Sequence, residues 1–380
     1  MANFHVPLKK TVDDSYDIQI GRNLFDDLVN DLKNGLTPKA SRYALITDSN
    51  IEKLYANDLY KKLTDVGFKV DLFVMPAGEK YKTRETKASL EDQMLDAGFG
   101  RDSAVIALGG GVVSDLAGYL AGTFGRGVPF INYSTTLLSA ADASVGGKTA
   151  VDTPHATNLI GLFNQPAKVY LDIETWNSLP AREIRSGLAE TVKHACLADY
   201  ELFEWLEANI TRICQGENAP LEADACEHIA FKNCEIKYTV VQKDEKESNL
   251  RMVLNLGHTA GRAFEALCSY TYTHGECVAI GIVVQAFIAE DLGHMTADEK
   301  ERVINLLKAA GLPVSIPAGT SLEDLVVKMR TDKKSRLGKI RFVIQDGIGK
   351  MKTFENGSYS IPLEEAYILS ILKKMNQYFS

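Results

Sequence analysis

The sequence predicts an α/β protein in two parts, a parallel-sheet domain over residues 1–180 and a mainly α-helical domain over residues 181–380. Three observations carry this. Short apolar runs alternate with amphipathic helical periods from Arg42 to Asp172, which implies a parallel sheet covered by helices on both faces. One of those runs, Val105 to Leu108, enters three consecutive glycines, Gly109, Gly110 and Gly111, and then a stretch of good helix formers. Beyond about residue 180 the apolar period becomes almost purely helical.

In chain order, an edge unit comes first, with a strand around Tyr16 to Ile20 and an amphipathic helix from Leu24 to Leu32. The regular pattern then runs strand Tyr43–Thr47, helix Ile51–Val66, strand Lys69–Met75, helix Thr83–Ala97 and strand Ser103–Leu108. The glycine turn and its helix follow, then strands Phe130–Tyr133 and Lys168–Asp172 with a long connection between them. In the second half, Glu183–Asn209, Glu222–Val241, His258–Leu267, Glu276–Leu292, Ala297–Ala310 and Leu363–Tyr378 read as helices, with strand signal confined to Ile340–Ile344.

The totals bound the function. A chain of 380 residues with 45% hydrophobic content fills two ordinary cores. No apolar run approaches the ~18 residues of a membrane span, and the first residues lack a signal segment, so a cytoplasmic protein without a membrane partner is expected. A net charge of -8 and no basic stripe argue against nucleic acid. The six cysteines, without a Cys-x-x-Cys pair, read as reduced thiols.

The glycine turn carries chemistry because the backbone can approach a phosphate closely there, and the free amides of the following helix start point at negative charge. This makes the first part Rossmann-like, although the spacing is neither Gly-x-Gly-x-x-Gly nor a P-loop. Two neighbouring strand ends are polar: Asp48 with Asn50, and Glu79 with Lys82. Taken alone, each is more often a helix cap or solvated turn.

In the second part, Glu190 and Lys193 share one helix face, and His258 and His274 stand at helix starts. Two histidines and a carboxylate are the usual protein ligands of a catalytic divalent metal. Spacing alone leaves packed or capping histidines as the commoner reading. Arg126, Asp142, Lys148 and Asn158 lie in the connection after the glycine helix, where a lysine in a glycine-rich loop can clamp an anion. Lys237 and Arg251 flank the acidic run Asp244 to Glu247, and Lys333-Lys334 follows Asp332, all equally consistent with salt-bridge partners.

Together these residues form an ordered set: Gly78-Glu79-x-x-Lys82, Gly109-Gly110-Gly111-Val112-x-x-Asp115, Thr135-Thr136-Leu137-Leu138, Ser144-Val145-Gly146-Gly147-Lys148-Thr149, Ser186-Gly187-Leu188-Ala189-Glu190, Asn255-Leu256-Gly257-His258-Thr259, His274-Gly275-Glu276 and Asp332-Lys333-Lys334. In order and spacing, from about residue 42 to 345, the set resembles the 3-dehydroquinate synthases of the sugar-phosphate cyclase family.

The resemblance implies an NAD- and zinc-dependent carbon–oxygen lyase, with Co2+ as a substitute metal, working in the cleft between the two domains and forming a homodimer. Its substrate would be a small phosphorylated sugar acid, 3-deoxy-arabino-heptulosonate 7-phosphate, whose phosphate is eliminated as a carbocycle closes. By the same resemblance Glu190, His258 and His274 hold the metal. Asp48, Asn50, Glu79, Lys82, Gly110, Gly111, Val112, Asp115, Thr135 and Thr136 hold NAD, with Thr157, Thr175 and Ser178 at its margin. Arg126, Lys148, Asn158 and one of Lys333 or Lys334 clamp phosphate, Lys237 and Arg251 clamp the carboxylate, and Asp142, Lys193 and Asn255 bind the ring hydroxyls. Two positions depart from the family pattern: Thr157 stands for a lysine, and Arg262, in the substrate region, stands for a histidine four residues after His258. A sedoheptulose 7-phosphate cyclase and an NAD-dependent metal polyol dehydrogenase are the neighbouring activities.

Overall fold

The computed structural model describes residues 3–214, 221–269, 271–330 and 339–380. The first half runs β1 (Asp17–Gly21), α1 (Phe25–Lys33), β2 (Arg42–Asp48), α2 (Asn57–Asp65), β3 (Val70–Met75), α3 (Arg84–Asp96), β4 (Ser103–Gly109), α4 (Gly111–Thr123), β5 (Phe130–Ser134), β6 (Lys148–Thr153), β7 (Ala156–Phe163) and β8 (Lys168–Asp172). The second runs α5 (Ala181–Ala198), α6 (Tyr200–Asn209), α7 (Ala223–Lys243), α8 (His258–Leu267), α9 (His274–Asp291), α10 (Ala297–Ala309), α11 (Leu322–Arg330), β9 (Arg341–Val343), β10 (Ser360–Pro362) and α12 (Glu365–Phe379).

Six strands form one parallel sheet in the order β1-β8-β5-β4-β2-β3. β4 is buried along its whole length, as a central parallel strand must be. Leu90, Met94, Leu116 and Leu120 cover one face, and Leu28, Leu45, Leu59 and Tyr133 the other. The order reverses between β2 and β4, and at such a switch point the strand ends splay into a crevice. The glycine turn opens there, pinned by the Thr47 hydroxyl, which donates to the Leu108 carbonyl at 2.8 Å.

The helical half has its own core, in which Leu188, Phe203, Ile282 and Phe287 are buried. Its elements differ from the expected set in four places. The expected helix Glu183–Asn209 breaks at Asp199, whose backbone is extended and whose carboxylate caps α6 by accepting from Leu202 N at 2.9 Å. α9 begins at His274 rather than Glu276, because Thr273 and Glu276 close a capping box. α11 and β10 were not anticipated, and β10 pairs antiparallel with β9.

The long connection is not a loop but an antiparallel hairpin, β6 with β7, which packs on α4. Its strand signal is interrupted at Gly161, where a Cβ would collide with the Thr149 carbonyl oxygen of the paired strand. No described helix is long and apolar enough to cross a membrane.

Candidate active site

Glu190 comes from the middle of α5, His258 from the first turn of α8 and His274 from the first turn of α9. Their ligand atoms lie within 4.8 Å of one another. Glu190 Oε1 is 3.5 Å from His258 Nε2 and 3.4 Å from His274 Nε2. The other ring nitrogens are held from behind. His258 Nδ1 is 3.0 Å from the Leu256 carbonyl, which as an acceptor makes Nδ1 the protonated nitrogen and leaves Nε2 a lone pair. His274 Nδ1 faces the Glu265 carboxylate at 3.3 Å.

Glu190 is fully buried, with its Oε1 aimed between the two imidazoles. What faces it is the ammonium group of Lys193, itself fully buried. Burial, the largest single influence, pushes the Glu190 carboxyl up, but Lys193 together with the His258 and His274 imidazoles outweighs it and holds the group well below the usual carboxylate range. Burial likewise pushes the His258 imidazole down, leaving it neutral. For His274 burial opposes the charge, yet Glu265 and Glu190 raise its pKa to about 10. Two imidazoles and a buried carboxylate oxygen aimed between them fit a four-coordinate divalent ion with one open position.

At the sheet edge, Gly110 and Gly111 form a cradle that side chains would fill. A Cβ on Gly110 would press on Thr136 at 3.1 Å, and one on Gly111 on Ala143 at 3.1 Å. Among the described residues no side chain caps the amides at the start of α4, and none partners the buried Thr135 hydroxyl beside it. Lys82 is buried among three carboxylates, Glu79 at 2.5 Å, Asp115 at 3.4 Å and Asp152 at 3.9 Å. Burial works against its charge, but these acids raise its pKa. Burial lifts Asp115 to about 6, with Lys82 pulling the other way. Val112 lies in the first turn of α4.

Between the halves lies a cleft of about 460 Å³, lined among others by Asp142, Lys148, Asn158, Lys237, Arg251 and Asn255. Lys148 pairs with Glu247 at 2.5 Å, and Asn255 Nδ2 donates to the same carboxylate at 2.8 Å. Lys237 donates to Asp142 Oδ1 at 2.7 Å, and Lys193 lies 3.5 Å from that oxygen. Asp142 thus links the cleft wall to the triad through Lys193. Burial lowers both Lys148 and Lys237 to about 8, against the opposing pull of Glu247 and Asp142 respectively.

A family model described as 3-dehydroquinate synthase N-terminal matches residues 72–186, and one described as 3-dehydroquinate synthase C-terminal matches residues 187–335. The chain belongs to the 3-dehydroquinate synthase family. Among its curated relatives, the 3-dehydroquinate synthase of Desulforamulus reducens is 41% identical over 361 residues, covering 95% of this chain and 97% of that protein. That of Thermoanaerobacter pseudethanolicus is 43% identical over 360 residues, covering 94% and 97%. Among solved structures, the 2-epi-5-epi-valiolone synthase ValA of Streptomyces hygroscopicus subsp. jinggangensis 5008, with NAD+ and Zn2+ bound, superposes with a TM-score of 0.86 at 25% identity, covering 99% of this chain and all of that one.

Not every residue suggested by the family pattern reaches the cleft or the cradle. Arg126 is exposed in a left-handed turn after α4 and is not part of the cleft wall. Thr175 is buried, with its hydroxyl committed to the Thr135 and Asp172 carbonyls, and Ser178 accepts from Tyr55. Asp48 caps the following turn by accepting from the Asn50 and Ile51 amides at 2.8 and 3.1 Å. Lys148 opens strand β6 instead of sitting in a loop. Thr157 is half-buried on β7, next to Asn158, whose amide donates to Asp152 at 2.7 Å. Arg251 is buried and donates to the carbonyls of Glu245 and Gly146. Lys333 and Lys334 lie outside the described residues.

Three acids escaped sequence reasoning. Asp152 completes the Lys82 cluster, Glu247 binds Lys148 and Asn255, and Glu265 backs His274. Glu265 had a signal, since it stands seven residues after His258 on the same helix face.

Proposed function

We propose that this chain converts 3-deoxy-arabino-heptulosonate 7-phosphate to 3-dehydroquinate and phosphate, as a cyclizing lyase with catalytic NAD and a bound divalent metal, Zn2+. The observation that carries the reading is the triad of the buried Glu190 and His258 with the partly exposed His274, linked through Lys193 and Asp142 to a cleft rich in basic side chains. Membership of the 3-dehydroquinate synthase family and the NAD+ and Zn2+ in ValA support it.

Residues 1–180 serve as the nucleotide domain in this reading, and 181–380 as the metal domain. Gly110, Gly111 and Val112 at the start of α4 receive the pyrophosphate of NAD, with Thr135 and Thr136 beside them. Glu79, Lys82 and Asp115 flank the nicotinamide half, and Asp48 and Asn50 the ribose. Glu190, His258 and His274 hold the metal. When bound, NAD supplies a hydride acceptor and the metal a Lewis acid for a ring hydroxyl.

The chain's own groups orient and discharge. Lys148 and Asn158 meet the phosphate, and Lys237 with Arg251 meets the carboxylate. Asp142 and Lys193 position the ring hydroxyls, and Asn255 orders Glu247 against Lys148. The cytoplasm and a homodimer suit this assignment, the latter readable by sedimentation.

The test is phosphate release by the purified protein with catalytic NAD and Zn2+, offering 3-deoxy-arabino-heptulosonate 7-phosphate beside sedoheptulose 7-phosphate. Turnover of the first is the expected result. Turnover of the second alone assigns a different substrate, and stoichiometric NAD reduction without phosphate release makes the protein a dehydrogenase.

A further inference from the structure

Arg182, Ser186 and Glu190 stand one turn apart on one face of α5 and meet three successive residues at the start of α9. Glu190 faces the His274 ring at 3.4 Å, the Ser186 hydroxyl accepts from the Gly275 amide at 3.0 Å, and the Arg182 guanidinium pairs with the Glu276 carboxylate. The first contact belongs to the metal triad and the second to the packing of the two helices. The third is made by an exposed arginine, and neither Arg182 nor Glu276 lines the cleft.

This third contact is a fork. Arg182 Nε donates to Glu276 Oε1 at 2.9 Å and Nη2 to Oε2 at 2.7 Å, and Nη2 also donates to the Thr271 carbonyl at 2.9 Å. The guanidinium therefore holds the chain on both sides of His274, at Thr271 before it and at Glu276 after it. Glu276 Oε2 accepts in addition from the Thr273 amide at 2.8 Å, closing the capping box that sets where α9 begins. Single surface ion pairs contribute little, but a bidentate arginine fixes geometry as well as charge. His274 is the ligand that packing holds least, with a side chain 29% exposed against 5% for His258 and none for Glu190.

We infer that Arg182 is a positioning residue for the metal site: through Glu276 and Thr271 it fixes the first turn of α9, and so the direction from which His274 meets the ion. The inference rests on the reading of Glu190, His258 and His274 as the metal ligands. Arg182 is not itself a ligand and lies outside the cleft, so its loss keeps the ligand set and changes how well that set is preorganised.

The experiment uses the full chain stripped of metal. Zn2+ affinity is read by competition with a chromogenic chelator, and the visible spectrum of the Co2+-loaded protein reports the coordination geometry. Arg182→Met keeps an apolar stem and removes the fork. It is expected to weaken Zn2+ binding about tenfold, as loss of an outer partner of a ligand does, and to alter the Co2+ spectrum, while the metal-free thermal midpoint stays close to the wild-type value. Arg182→Lys, a point charge in place of the fork, recovers part of that affinity. Glu276→Gln keeps a capping residue but loses the ion pair, and the double variant is expected to bind Zn2+ no more weakly than the weaker single variant, since both remove one interaction. Wild-type affinity and spectrum in Arg182→Met overturn the inference, as do losses that simply add in the double variant, or a lowered metal-free midpoint at unchanged Zn2+ affinity. Each of these leaves the metal triad standing, whereas a wild type that binds no Zn2+ overturns the triad and the inference together.

Discussion

The Glu265 carboxylate lies 3.3 Å from His274 Nδ1, while the other nitrogen of the same ring faces Glu190 at 3.4 Å. The imidazole is thus clamped between a carboxylate that would share a metal with it and one that would only orient it. Partners of this second kind fix the ring and raise its basicity, and their loss typically costs 10–100-fold in metal affinity. Glu265→Gln is therefore expected to weaken zinc binding by about that factor, read by competition with a chromogenic chelator. Wild-type zinc affinity in this variant would remove Glu265 from the site.

Glu190 and Lys193 form a fully buried pair three residues apart on α5, and this sets them apart from His274, which is partly exposed. Removing Glu190 leaves the Lys193 ammonium in the interior with Asp142 as its nearest acid, 3.5 Å away. Breaking a buried pair in this way costs about 3–5 kcal/mol. Glu190→Ala is expected to lose zinc, activity and a large part of its stability, whereas His274→Ala loses zinc and activity with a thermal midpoint near that of the metal-free wild type. Comparing the two metal-free proteins by denaturant melts separates the roles, and equal midpoints would contradict the burial argument.

Why some of this was readable in the sequence and some not follows from the range of the signals. β2, β4 and β5 announce themselves because strands buried on both faces are continuous apolar runs. The hairpin β6–β7 interleaves polar residues with a glycine that serves close backbone approach, and β10 is only three residues long, so neither makes a run. Glu190, His258 and His274 were legible as a set through their motifs. The pairing of Lys237 with Asp142, 95 residues apart in sequence, leaves no local trace. Glu247 sits in an acidic run that reads as a solvated turn, although its left-handed backbone, φ 59°, turns it into the cleft wall.

The two cleft lysines, Lys148 and Lys237, with pKa values of about 8, predict a pH dependence whose sign differs between binding and folding. Both are charged below pH 8 and lose the proton as pH rises through it, so anion affinity falls and KM rises on the alkaline side. In the unfolded chain a lysine keeps its proton to about 10.4. Between about 8 and 10.4 the unfolded state binds more protons, so these two groups make stability rise with pH in that window. KM measured from pH 7 to 9.5, with thermal midpoints alongside, checks both signs. Lys148→Arg is expected to flatten the alkaline rise in KM, and an unchanged profile would show that Lys148 does not meet the anion.

Gly275 joins the fold to the site most directly. It follows His274 in the first turn of α9, and its amide donates to the Ser186 hydroxyl on α5 at 3.0 Å. A Cβ there would collide with the Ser186 carbonyl oxygen, which is backbone and cannot swing aside. Gly275→Ala must therefore push α9 away from α5. Glu190 lies one turn further along α5 than Ser186, so the same displacement draws His274 away from its carboxylate. Overpacking of this kind costs about 1–3 kcal/mol, and here it is expected to appear together with weakened zinc binding. Ser186→Ala is the control: it removes one hydrogen bond, worth about 1 kcal/mol, while keeping the helices at their distance, and zinc affinity is expected to stay at the wild-type value. A Gly275→Ala protein that is destabilised but binds zinc normally would show that the spacing of α5 and α9 does not set the triad.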